Sequence, residues 1–124
     1  IKQLKKLDNI IQERNQIRKA YIQYLNPLGF QAQEINKEVV FNVQSMVFVV
    51  PKNICRDDLI TYLYQNGIES TLGTYCLSGT TFCKNKYNAI QKNAKFLEDS
   101  TLTLPCYKGV DVEYISQTIQ KFLT

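Results

Sequence analysis

An α/β (α+β) two-layer sandwich is the fold class predicted by the sequence, with about three mainly antiparallel strands, helices on one face, and a long N-terminal helix leading in. Three observations carry this prediction. Residues 2–25 bear one apolar stripe at helical spacing, residues 39–50 form a run rich in β-branched and aromatic side chains, and Leu102-Thr103-Leu104 leads through Pro105 and Gly109 into a terminal amphipathic stretch. With 124 residues the chain is long enough for one domain with a sizeable core.

The elements follow in order. Leu4, Leu7, Ile10, Ile11, Ile17, Tyr21, Tyr24 and Leu25 share one stripe, so residues 2–25 read as a single amphipathic helix stopped near Pro27 and Gly29. The run 39–50 is the strongest strand. Its near-continuous apolar half, residues 46–50, points to a central position, and Pro51 ends it. Arg56-Asp57-Asp58 opens the next helix, with two acids where the helix dipole favours them, Leu59, Ile60 and Leu63 inside, and Asn66-Gly67 as the C-cap. A strand over 68–75 follows, then a loop over 76–86 rich in Ser, Gly, Thr and Asn, long enough to invite a functional reading. Residues 87–98 read as a helix and 100–104 as the closing strand. Asp111 caps a last helix carrying Val112, Ile115, Ile119 and Phe122. Connections this short favour antiparallel neighbours, and periodicity leaves the strand order open.

Composition narrows the function classes. At 44% hydrophobic and 21% charged residues the chain is an ordinary globular one, and no apolar run approaches the ~20 residues of a membrane span. The net charge of +4 sits wholly in the first twenty residues, where Lys2, Lys5, Lys6, Arg14, Arg18 and Lys19 face only Asp8 and Glu13. No aromatic partner interleaves that stretch, so it reads as the solvated face of a helix, and neither nucleic acid nor membrane is expected as a partner. Cys55, Cys76, Cys83 and Cys106 form no C-x-x-C pair, and with no histidine in the chain neither a zinc set nor a Ser-His or Cys-His nucleophile can be assembled. Reduced thiols and a cytoplasmic location are expected. Because the first residue is Ile1, the chain is also expected to be a fragment of a longer protein.

Five segments in order resemble the C-terminal small domain of the DegT/StrS family of pyridoxal-phosphate-dependent sugar aminotransferases. They are Arg14-x-x-Ile17-x-x-x-Tyr21-x-x-x-Leu25, Asn42-Val43-Gln44-Ser45-Met46-Val47, Arg56-Asp57-Asp58-Leu59-x-x-x-Leu63-x-x-x-Gly67-Ile68-Glu69, Gly73-Thr74-Tyr75-Cys76, and Leu104-Pro105-x-Tyr107-x-Gly109. The resemblance implies the small domain of a fold type I enzyme resembling aspartate aminotransferase, with residues 1–28 as a linker helix from a large domain and 29–124 as the small domain. It implies a homodimeric full-length enzyme that uses pyridoxal phosphate to move an amino group, usually from glutamate, to a ketone on a nucleotide-linked sugar, in polysaccharide biosynthesis. The Schiff-base lysine and the acid that pairs with the pyridine nitrogen belong to the large domain. This chain alone is therefore expected to bind no pyridoxal phosphate and to be inactive. A dehydratase variant of the family is a further possibility, and a free-standing α/β small-ligand-binding or regulatory module is the alternative from another class.

The site residues follow from the same resemblance. The small domain would shape the substrate mouth, with Tyr75 either stacking on and hydrogen-bonding a sugar or half-buried in the sheet. Thr80 stands where the family often carries a histidine and is the substrate-binding candidate at that position. Asn42, Gln44 and Ser45 on the first strand are substrate candidates or ordinary edge polarity. Tyr107 either packs the closing turn or reaches substrate. Arg56 invites comparison with the carboxylate-binding arginine of other aminotransferases, but beside two aspartates in a first turn it reads as a surface charge.

Overall fold

The computed structural model describes residues 4–124; the start of the predicted first helix at residue 2, and Lys2 with it, lie outside the described residues. Helix α1 (Leu7–Leu25) continues through a 3₁₀ turn (Asn26–Leu28) into β1 (Gln31–Ala32), and β2 is Met46–Val49. Then come α2 (Arg56–Gln65), β3 (Thr71–Leu72), a 3₁₀ turn (Leu77–Gly79), α3 (Thr81–Tyr87), α4 (Lys92–Ser100), β4 (Thr101–Leu104) and α5 (Val112–Leu123). The strands form one sheet in the order β1-β2-β4-β3, antiparallel at every step.

Pairing of Met46 with Leu104 and of Phe48 with Leu102 puts these four side chains on one face. There they meet Tyr21 and Leu25 of α1, Leu59 and Leu63 of α2, and Ile115 and Ile119 of α5, all buried. Val47, Val49, Thr101 and Thr103 alternate onto the opposite face. The two-layer sandwich is as the sequence predicts, with four strands rather than three.

Local signals account for the places where prediction and structure agree. At the end of α2, Gly67 takes a φ of +74° while its N–H donates to Tyr64 O and the Ile68 N–H to Leu63 O, so the Asn66-Gly67 cap is a Schellman motif. Asp111 accepts the Tyr114 N–H at 2.9 Å, and Gly109 turns the chain at a φ of +83°. Where they disagree, tertiary pairing has decided. Of the 39–50 run only residues 46–49 form the strand, with one further bond from Val50 N–H to Ser100 O at 2.8 Å, because the chain breaks at Val43, whose φ of +49° is unusual for a β-branched residue. Val39 and Val40 are exposed just after the turn at Lys37 and Glu38. The 68–75 strand shrinks to Thr71–Leu72, followed by one further bond from Gly73 N–H to Thr101 O at 3.0 Å. The 76–86 loop holds a 3₁₀ turn and most of α3, and the helix predicted over 87–98 begins only at Lys92.

The first helix belongs to the core through its C-terminal half. Tyr21 is fully buried, lies edge-on to Phe48 with centroids 6.1 Å apart, and donates its hydroxyl to Pro105 O at 3.0 Å. Burial in the low-dielectric core pushes its phenol pKa up. Replacement by phenylalanine leaves the packing and orphans the carbonyl, so Tyr21→Phe should lower stability by about 1–2 kcal/mol. A urea midpoint unchanged from the parent chain would refute that role.

Candidate functional site

The unhelixed face of the sheet is open. Val47, Val49 and Thr101 floor a cavity of about 990 Å³, walled by the exit of β1 on one side and by Gly73 and Thr74 on the other. A smaller cavity of about 230 Å³ adjoins it, sharing Ala32, Gln33 and Val47 and closed by Arg18, Phe41 and the 42–45 loop. Here the structure brings together three of the predicted residues, since Asn42, Gln44 and Ser45 all line it.

Their placement comes from the break at Val43. Its side chain is buried in the core while Asn42, Gln44 and Ser45 on either side are exposed, and the Asn42 side-chain oxygen accepts the Gln44 N–H at 3.2 Å. Two side chains of α1 hold the loop by backbone carbonyls at its start, Arg14 donating to Val43 O and Asn15 to Phe41 O at 2.8 Å, while Arg18 donates to Gln33 O, just after β1, at 2.8 Å. Arg14 and Arg18 are half-buried, which corrects the reading of the basic stretch as wholly solvated. Spacing offered one signal, because Arg14 and Arg18 are four residues apart and each lies three residues before a stripe residue, Ile17 or Tyr21, at the border of the apolar face. Gln44, exposed, needs no internal partner.

Tyr75 lies two residues beyond Gly73, 72% exposed, on a groove of about 540 Å³ formed with Leu77, Ser78, Cys83, Tyr87 and Gln91. It is not half-buried in the sheet. The groove is braced from below, where the Glu98 carboxylate accepts the Cys76 N–H at 3.0 Å and the Lys95 ammonium at 3.1 Å. Those two bonds, the backbone one first, hold the Glu98 pKa below the ordinary carboxylate range. Thr80 sits at the start of α3, donating to Leu77 O at 2.8 Å and accepting the Cys83 N–H at 3.4 Å. One lone pair of that hydroxyl is left for any further partner. Phe82 and Tyr87 on α3 are exposed, with the Lys86 ammonium over both rings.

Tyr107 is elsewhere. It is 62% exposed on a fourth cavity, of about 480 Å³ between β4 and α5, that shares no residue with the other three; its carbonyl accepts the Val110 N–H that closes the turn. Arg56 is not a surface charge. Its side chain is 9% exposed, pairs with Asp57, and donates to Glu98 O and Thr101 O at 2.8 Å each.

Lys52 lines a further cavity of about 370 Å³ between the end of β2 and α4, no lysine lines the four cavities above, and among the described residues Lys95 and Lys108 are engaged by carboxylates. Among the described residues there is also no metal-binding cluster, and no helix is long and apolar enough to cross a membrane. All four cysteines are free.

Comparison with known proteins gives the fold a setting. The aminotransferase TlmJ from Streptoalloteichus hindustanus is similar at 20% identity and a TM-score of 0.86, over 98% of this chain and 34% of that one. Helicobacter pylori PseC, an aminotransferase involved in the biosynthesis of pseudoaminic acid, is similar at 18% identity and a TM-score of 0.79, over 97% and 34%. The Escherichia coli GDP-4-keto-6-deoxy-D-mannose-3-dehydratase with bound hydrated PLP is similar at 19% and 0.70, over 95% and 33%. At such identities the likeness is one of fold, that of part of a fold type I aminotransferase, and this chain spans about a third of the length of each. No curated protein sequence matches it. The sequence model of the DegT/DnrJ/EryC1/StrS aminotransferase family matches residues 1–123, so the chain belongs to that family.

Proposed function

We propose that the chain is the C-terminal small domain of a homodimeric, pyridoxal-phosphate-dependent enzyme that transfers an amino group from glutamate to a keto group on a nucleotide-linked sugar, in polysaccharide biosynthesis. The observation that carries the reading is the family match over nearly the whole chain, joined to a span of only about a third of the matching structures. In this reading residues 1–28 lead in from a large domain and residues 29–124 form the small domain. The cofactor is held outside these residues, and the chain by itself is inactive. Four free thiols support a reducing, cytoplasmic setting. The fold is shared with a dehydratase, and in this reading the choice between amino transfer and dehydration is made in the large domain.

The part assigned to this chain is to shape the substrate mouth. Tyr75 offers an exposed ring to stack on a sugar and a hydroxyl to bond it. Asn42, Gln44 and Ser45 offer amide and hydroxyl partners at the edge of the open sheet face. Thr80 contributes by starting α3 and so holding the wall of the Tyr75 groove, while Tyr107, on a separate cavity, takes no part.

The test uses a longer protein carrying this sequence, with roughly 250 further residues on domain-size grounds. It should show a near-visible absorbance band abolished by borohydride and should aminate a keto-sugar nucleotide with glutamate as donor. Tyr75→Ala should raise KM for the sugar nucleotide by on the order of tenfold, with a smaller change in kcat. The chain alone should show neither band nor activity. Either property in the isolated chain, or a longer protein without the band, would overturn the reading.

A further inference from the structure

We propose that the small cavity beside the 42–45 loop is an oxyanion site that takes a phosphate group, with Arg18 at its centre. Every polar residue of its lining can donate. Arg18, Gln33, Asn42, Gln44 and Ser45 each bring an N–H or O–H, and no carboxylate lines the cavity. The Arg18 guanidinium lies 5.6 Å from the centre of the Phe41 ring and gives one N–H to Gln33 O, leaving the rest of its fork uncommitted. Among the described residues no carboxylate forms an ion pair with it.

A half-buried cation without an anion is an unbalanced charge, and partial burial already lowers the Arg18 pKa. Asn42 is oriented for the same task. Its side-chain oxygen is taken by the Gln44 N–H, so its NH₂ is the end left free. The donors arrive from three directions: α1, the residue after β1, and the 42–45 loop, which α1 holds by its backbone carbonyls. That arrangement suits a tetrahedral group with several acceptor oxygens better than a planar carboxylate. A volume of about 230 Å³ admits a phosphate but not a nucleoside attached to it, which would extend into the adjoining sheet-face cavity. The proposal deepens the aminotransferase reading, sharing its residues Asn42, Gln44 and Ser45, and rests on it for the source of the phosphate; a longer protein that keeps the borohydride-sensitive band but whose chain gives no phosphate shifts would fail this proposal alone.

The experiment titrates the chain with inorganic phosphate at constant ionic strength and follows backbone amide resonances. Saturable shifts confined to Gln33 and residues 42–45 are expected, weakened on the order of tenfold in Arg18→Gln and partly restored in Arg18→Lys. Since Arg18→Gln also releases the Gln33 carbonyl, the exposed variants Gln44→Ala and Ser45→Ala test the cavity without loosening the loop, and each should weaken phosphate severalfold. Absence of saturable shifts, shifts centred on Lys84 and Lys86, or unchanged affinity in all these variants would each overturn the proposal. So would glutamate binding there as well as phosphate does, which would make it a carboxylate site.

Discussion

Gly73→Ala is expected to destabilise the chain by about 2–3 kcal/mol, the upper part of the range for forcing one carbon into a packed site. A Cβ built there would lie 2.4 Å from Thr101 Oγ1 and 2.6 Å from both Thr101 Cβ and Val47 Cγ1. Neither neighbour can step aside. Both are β-branched and stiff at χ1, both belong to the paired centre of the sheet, and the Thr101 hydroxyl is engaged with Leu97 O. Gly73 cannot retreat either, because its N–H is bonded to Thr101 O. Two controls separate space from backbone strain. Gly67 has a φ of +74° but open space around its Cβ position, so Gly67→Ala should cost about 1 kcal/mol from backbone conformation alone. Gly79 has only ordinary contacts, the nearest at 3.6 Å, and its replacement by alanine should be close to neutral. Urea unfolding of the three variants should rank them Gly73, Gly67, Gly79, with unchanged m-values; a Gly73→Ala chain as stable as Gly79→Ala would dismiss the crowding argument. The same contact fixes where Thr74 and Tyr75 leave the sheet.

Signals that act over one or two turns were legible in the sequence. Asp111 as a cap, Asn66-Gly67 as a helix stop and the apolar stripe ending at Leu25 are each decided by residues a few positions apart, and each is found where expected. What escaped is decided across the fold. β1 is two residues long and exists because Gln31 and Ala32 meet Val49 and Phe48, a pairing no local periodicity announces. The break inside the 39–50 run is held by Arg14 and Asn15 from a helix more than 25 residues earlier in the chain, and nothing in the apolar pattern marks it. Of the site residues, Asn42, Gln44 and Ser45 do share a cavity, and Tyr75 lies just past the sheet-face cavity. Thr80 is occupied in capping, and Tyr107 turns to another face. Arg18 was hidden among surface lysines because composition cannot tell a solvated cation from one laid over an aromatic ring.

Arg56 presents the same difficulty with a larger consequence, and Arg56→Ala should cost about 2–3 kcal/mol. The side chain starts α2 yet works 42 and 45 residues away, where its Nη1 donates to Glu98 O and Thr101 O. Those carbonyls lie where α4 ends and β4 begins, and the last carbonyls of a helix have no partner within it. Without the guanidinium, Glu98 O loses this partner and Thr101 O keeps only the Gly73 N–H. Arg56→Lys preserves the charge but not the planar fork, so it should recover only part of the loss. For a domain of this size the alanine variant should melt about 10 °C lower. Gly73 and Arg56 meet at one carbonyl, so their effects should not add. In the double variant the Thr101 carbonyl has already lost one donor and been displaced by the other change, and the combined loss should fall short of the sum by about 1 kcal/mol. Strict additivity would mean that the two residues act on separate parts of the sheet, and that Thr101 is not the point through which α2, α4 and the Gly73 turn are held together.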